Sequence, residues 1–164
     1  MNTSHRGFTL IEIMVVIVIV AILMAAVTLS FPPVGDKLLK ENAERFSALV
    51  SLAQDESILQ SAEMSLEIDA DGYGFYRNEN NQWTALSEAP FKKRRLPERI
   101  RSKLILDGVE IDLEDREKNT PQIVFLSSGE ITPFTYQLFY ENKSAYSMKV
   151  GATGEIEQSF SRNE

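Results

Sequence analysis

The chain has 164 residues, which suits one domain built around one core. Its 17 Lys and Arg against 24 Asp and Glu give a net charge of −7, a balance that argues against a general nucleic-acid binder. It contains no cysteine, which excludes disulfides, zinc–thiolate sites and cysteine nucleophiles without fixing the compartment.

The N-terminal stretch RGFTLIEIMVVIVIV opens an apolar run in which Glu12 is the only charge between Arg6 and Asp36. Ile13 to Gly35 carries no charge over 23 residues. As helix that is about 34 Å, a match for a hydrocarbon core of roughly 30 Å. The spacing predicts a transmembrane helix over 8–31. The competing readings are a plain signal anchor and an ordinary cleaved signal peptide, with Ala25-Ala26-Val27 as its cleavage site. An ordinary signal-peptide core is shorter than this run. Arg6, with His5, precedes the span, so the positive-inside rule leaves the N-terminus cytoplasmic and the C-terminal body outside. A carboxylate inside such a run costs several kcal/mol unless paired or protonated, so Glu12 is a candidate functional residue.

Pro32-Pro33-Val34-Gly35 interrupts the helical pattern, and it resumes at Asp36, a plausible N-cap. Leu39, Ala43, Phe46, Val50 and Ala53 recur at three- and four-residue spacing. An amphipathic helix over 36–61 packing on a sheet is expected, in preference to an independent coiled coil. Period-two alternation then takes over across 62–160. Strands are expected at Met64–Ile68, Tyr73–Arg77, Gln82–Leu86, Leu104–Leu106, Val109–Leu113, Gln122–Leu126, Phe134–Tyr140, Ala145–Val150 and Glu155–Phe160. Turn residues separate them, with Asp107-Gly108 the strongest hairpin signal. Asp112–Asn119 reads as a charged, mobile loop. The fold class is therefore α+β: a long N-terminal helix, part transmembrane and part amphipathic, packed on an antiparallel β-sheet or β-sandwich.

Lys92, Lys93, Arg94 and Arg95, followed by Arg99, Arg101 and Lys103, form the one basic cluster. It reads as a solvated loop, or as a contact for an acidic neighbouring subunit, anionic lipid or DNA. Phe91 is the only ring beside it, which is thin for base stacking and argues against nucleic acid. Asp69-Ala70-Asp71-Gly72 resembles the start of a calcium loop, but the twelfth position holds Asn80 where a bidentate glutamate belongs, so a turn is expected. No Walker-type or dinucleotide-type glycine loop is present, and neither a metal nor an organic cofactor is expected.

Gly7-Phe8-Thr9-Leu10-Ile11-Glu12 followed by an apolar helix resembles the N-terminal signature of type IV prepilins and type II secretion pseudopilins. That resemblance implies that residues 1–7 are a leader removed by a prepilin peptidase after Gly7. Phe8 would become the N-methylated first residue, and Glu12 would serve assembly. The segments 72–83, 90–100 and 123–138 (IVFLSSGEITPFTYQL) look like the H-type minor pseudopilin, GspH. A pilin-like periplasmic domain over 36–164 is implied, anchored in the inner membrane by a single pass. So is a structural role near the tip of a periplasmic filament that aids export of folded proteins across the outer membrane. The implied partners are the major G-type pseudopilin and the minor I-, J- and K-type ones. A FimT-like minor pilin of a type IV pilus or DNA-uptake system is the alternative in the same superfamily. A membrane-anchored periplasmic binding domain is the alternative outside it. Loss of residues 1–7 would take away His5, the only histidine, leaving no Ser-His-Asp triad. Nothing singles out a carboxylate pair either, so an enzyme is not expected.

Overall fold

The computed structural model describes residues 9–28, 34–114 and 120–162, and divides the chain into compact units at 1–33 and 34–164. Gly7 and Phe8, and the far end of the span expected over 8–31, lie outside the described residues. In the first unit, α1 (Leu10–Thr28) is a 19-residue helix. At 1.5 Å per residue it is about 28 Å long. Among the described residues no helix is long and apolar enough to cross a membrane; the span expected from the sequence runs past α1 at both ends.

The second unit begins with α2 (Val34–Leu59). Its start lies two residues before the expected one, so Asp36 sits in the first turn rather than at the cap. A carboxylate is favoured there by the unpaired N–H groups of a helix start. At the other end, Ser61 adopts φ 48°. The Ala62 N–H donates to the Ser57 carbonyl and the Ser61 N–H to that of Ile58, both at 3.1 Å. This is a Schellman stop with serine at the left-handed position that glycine usually takes. Without a glycine to mark it, the sequence pattern alone runs the helix on to residue 61.

Among the described residues ten strands follow, paired antiparallel throughout. One sheet has the order β3 (Gln82–Ala85), β2 (Gly72–Glu79), β1 (Met64–Asp69), β7 (Ile123–Phe125), with β4 (Arg94–Arg95) also paired to β2. The other has the order β10 (Ile156–Arg162), β9 (Ser144–Val150), β8 (Phe134–Tyr140), β5 (Ile100–Leu106), β6 (Val109–Ile111). Asn80-Asn81, Asp107-Gly108 and Glu141-Asn142 each place two successive residues at positive φ, between 48° and 80°. Such pairs match the twist of the strands they join. Most strands differ from the sequence reading by one or two residues at an end, β6 stopping at Ile111 rather than Leu113, and two differ more. β5 begins four residues early, because Arg101 and Lys103 fill its solvent face while Ile100 and Leu104 fill the core face. β4 is new, and consists of part of the basic cluster.

The helical stripe is buried as its spacing predicts: Leu39, Ala43, Phe46, Val50 and Ala53 are all at most 1 % exposed. Phe46 shows why α2 is part of the domain rather than a free coiled coil. Its ring meets Tyr73 of one sheet edge-on at 5.1 Å, and Phe134 and Tyr136 of the other at 6.2 and 4.3 Å. The helix is thus the third wall of a core to which both sheets contribute. Polar links hold its C-terminal half. The Gln54 amide donates to the carbonyls of Gly129 (2.7 Å) and Thr153 (3.1 Å), and the Ser57 hydroxyl to that of Leu126 (3.1 Å). The Ser-Gly-Glu motif and the Gly151–Gly154 turn therefore clamp α2. Gly154 has φ 88°, and a Cβ there would lie 2.2 Å from the Gln54 amide, so both conformation and space demand glycine.

Three buried tyrosines make stability alkali-sensitive. Desolvation raises the phenols of Tyr73, Tyr76 and Tyr136 above their ordinary value of 10, with a hydrogen bond to Glu67 adding to the effect at Tyr76. A group that holds its proton more tightly when folded contributes stability that is intact below its unfolded pKa and is lost as pH rises toward the folded one. Thermal unfolding of the 34–164 domain, followed by circular dichroism, should be flat up to about pH 10 on this account and fall above it. The tyrosinate absorbance contributed by Tyr73, Tyr76 and Tyr136 should appear together with unfolding rather than before it.

Candidate assembly site

The first element of the site is the start of α1. Thr9 immediately precedes the helix, and the Glu12 N–H donates to its carbonyl at 3.1 Å and its hydroxyl at 3.4 Å. Thr9 thus stands at the N-cap and Glu12 at the third position, the Thr-x-x-Glu spacing of a capping box, with the Thr9 hydroxyl accepting from the Glu12 N–H. Thr9 is a capping residue that the sequence reading passed over, although the spacing that marks it lies inside the GFTLIE motif. Its consequence for Glu12 is direct: the carboxylate sits in the first helical turn, where the unpaired N–H groups offset part of the cost of a charge. Beyond it, α1 presents apolar side chains all round. From Leu10 to Met24 every large one is exposed, from 45 % at Val20 to 79 % at Leu10.

The second element is the basic cluster, which the structure divides rather than leaving as a loop. Arg94 and Arg95 pair with Tyr73 and Gly72. A Cβ at Gly72 would lie 1.9 Å from the Arg94 carbonyl, so only glycine lets this backbone approach. Alternation along the strand sends successive side chains to opposite faces. Lys93 pairs with Asp69 at 2.5 Å, its stem lying over Gly74. Arg94 is half-buried and donates to the Pro90 carbonyl at 3.2 Å. Lys92 and Arg95 are exposed, and with Arg101 they have no ion-pair partner among the described residues. Arg99 is tied to Glu141 and the Tyr140 hydroxyl, and Lys103 to Glu110. The free charge therefore resides on Lys92, Arg95 and Arg101. Arg95 and Arg101 share a cleft with Asp71 and Glu114, a mixed surface rather than a uniformly positive groove. Phe91 is 7 % exposed and packs on Phe75 with ring centroids 5.3 Å apart, so it cannot stack on a base.

Asp69–Gly72 is a turn, as its residue types predict: the Asp71 N–H donates to the Asp69 carboxylate at 3.0 Å. Among the described residues no group of three His, Asp or Glu could hold a metal ion. The charged loop is described only to Glu114, whose N–H donates to Asp112 at 2.9 Å; residues 115–119 lie outside the described residues.

Known proteins match the N-terminal segment and most of the body. The family model for Type II transport protein GspH matches residues 42–154, and that for the prokaryotic N-terminal methylation motif matches residues 2–28. Type II secretion system protein H of Pseudomonas aeruginosa is 33 % identical over 161 residues, covering 92 % of each chain. The protein of the same name from Aeromonas hydrophila is 29 % identical over 154 residues, covering 85 % of this chain and 84 % of that one. Among solved structures, the minor pseudopilin EpsH from the type 2 secretion system of Vibrio cholerae superposes with a TM-score of 0.63 at 22 % identity. It covers 77 % of this chain and 98 % of that one. Escherichia coli GspH in solution gives 0.63 at 21 %, over 79 % and 93 %. At such identity the structures speak for the fold alone, which is the α+β fold described above. The family match over most of the chain, with a relative one-third identical along nearly all of it, completes the assignment: the chain belongs to the GspH family, the H-type minor pseudopilins of type II secretion.

Proposed function

We propose that the chain is cleaved after Gly7 by a prepilin peptidase, N-methylated at Phe8, and held in the inner membrane by a single pass with its N-terminus cytoplasmic. The 34–164 domain then lies in the periplasm. There it joins a short filament near the tip, alongside the major G-type and minor I-, J- and K-type pseudopilins, and acts as a structural part without catalysis. The observation that carries this reading is α1: a capped helix, apolar on every side, whose exposed surface demands lipid first and neighbouring helices afterwards. Glu12 pairs with the Phe8 amine of an adjacent subunit and so sets the stagger between helices. Deletion of the gene should abolish type II secretion and leave twitching and DNA uptake intact. Loss of twitching or DNA uptake with normal secretion would instead make it a FimT-like pilin.

Lys92, Arg95 and Arg101 supply a polar contact to an acidic neighbour, supported by their exposure and lack of partners among the described residues. Reversing all three to glutamate should lower the melting temperature by no more than a few degrees, since exposed charges contribute about 0–1 kcal/mol each. The same change should weaken crosslinking to other pseudopilins. Arg94→Glu should disturb the fold more than the filament, because its half-buried guanidinium is engaged within the domain.

A further inference from the structure

Among the described residues every edge strand except β10 is short, β4 having only two residues. β3 has four residues, and β6 and β7 three each. β7 is further capped on its outer side: Ile131 bridges to Phe125, and the Thr132 N–H donates to the Val124 carbonyl at 3.0 Å. β10 is different. It pairs with β9 over seven unbroken positions, Ile156–Arg162, and carries no proline, lysine or bulge. Those are the devices by which edges are usually blunted.

The direction of its free groups follows from the register. The Gly151 N–H donates to the Glu155 carbonyl at 3.0 Å, and Ile156 pairs with Val150. In an antiparallel ladder the bonded positions alternate, so Glu157, Ser159 and Ser161 bond to β9. Ile156, Gln158, Phe160 and Arg162 direct their backbone N–H and C=O groups away from the sheet. We propose that this edge pairs with the same edge of a second copy of the chain, antiparallel about a two-fold axis at Ser159.

The strand is complementary to itself in the register that uses all four outward positions. Gln158 then meets Phe160 of the second copy, Ile156 meets Arg162, and Glu157 meets Ser161. No like charges oppose each other, and serine meets serine at the axis, where the Cα atoms of a non-bonded pair are about 4.5 Å apart. Arg162 is already neutralised by its ion pair with Asp36, so it brings no unpaired charge to the contact. The result is one continuous ten-stranded sheet across an isologous interface. Each 34–164 domain keeps the full net charge of −7, because residues 1–33 carry one Arg and one Glu. Association should therefore strengthen with salt.

The test uses the 34–164 domain, which holds a complete core of its own. Its lack of cysteine gives no background. Ser159→Cys places two thiols within disulfide range across the axis. Under mild oxidation it should give a covalent dimer as the main product. Glu157→Cys, with the two residues about 14 Å apart, should stay monomeric. Ser159→Lys should weaken the dimer seen by sedimentation at least threefold, through facing lysines, without lowering the melting temperature. The proposal is overturned if the parent domain is monomeric at every concentration tested, or if position 157 crosslinks as readily as 159. It is also overturned if co-expressed G-, I-, J- or K-type pseudopilins capture Cys-bearing β10 in preference to a second copy.

Discussion

Phe46→Ala should cost the 34–164 domain about 3–5 kcal/mol, the usual range for emptying a buried phenylalanine site. That is a large part of the about 5–15 kcal/mol that holds a domain together. The reason is the position of the ring, 1 % exposed and touching aromatic partners on both sheets. No single neighbour can close the gap, since Tyr73 belongs to one sheet and Phe134 and Tyr136 to the other. A fall of roughly 10–20 °C in melting temperature by circular dichroism is expected for a domain of this size. Phe46→Leu should recover about half of it. A loss below about 1 kcal/mol would mean that α2 does not bridge the sheets.

Substitution of Glu12 should have the largest effect on function, and the capping box makes the two obvious variants unequal. Glutamine can replace glutamate at the third position of such a box, whereas alanine cannot. A side-chain contact of that kind is worth about 1 kcal/mol at a helix start. Losing a charge partner for a neighbouring amine in an apolar setting costs several. If Glu12 acts as an ion-pair partner between subunits, Glu12→Gln and Glu12→Ala should both be cleaved and inserted normally. Both should then fail to crosslink to other pseudopilins or to support secretion. If Glu12 serves only the helix start, Glu12→Gln should behave like the parent and Glu12→Ala should be partly defective. Secretion and crosslinking by the glutamine variant alone therefore separate the two roles.

Local patterns carried most of this fold into the sequence. The stripe from Leu39 to Ala53 is a helix face, and the alternation of Met64, Leu66 and Ile68 is a strand face, because side-chain direction repeats with the backbone period. Three features escaped for identifiable reasons. Around the start of β5 the basic residues Arg99, Arg101 and Lys103 suggest a charged segment, when Arg101 and Lys103 stand on the wet side of a strand. β4 spans two residues and exists because Gly72 admits its backbone, which no periodicity can show. The Asp36–Arg162 pair and the Gln54 clamp join residues far apart in the chain, and contacts of that kind leave no local trace. The assembly site divides in the same way. Glu12 stands out as a charge in an apolar run, and its Thr9 partner is legible from spacing alone. The basic cluster reads as one patch in sequence, yet the structure pairs Lys93 with Asp69, half-buries Arg94, and leaves Lys92 and Arg95 without an ion-pair partner among the described residues.

The central claim is that the apolar helix is kept in the mature protein as the part that assembles. Mass analysis of the N-terminus of protein recovered from membranes tests it most directly. A chain beginning at N-methylated Phe8, with Glu12 as its fifth residue, is the expected result; a chain cut after Ala26, with the helix removed, would contradict it.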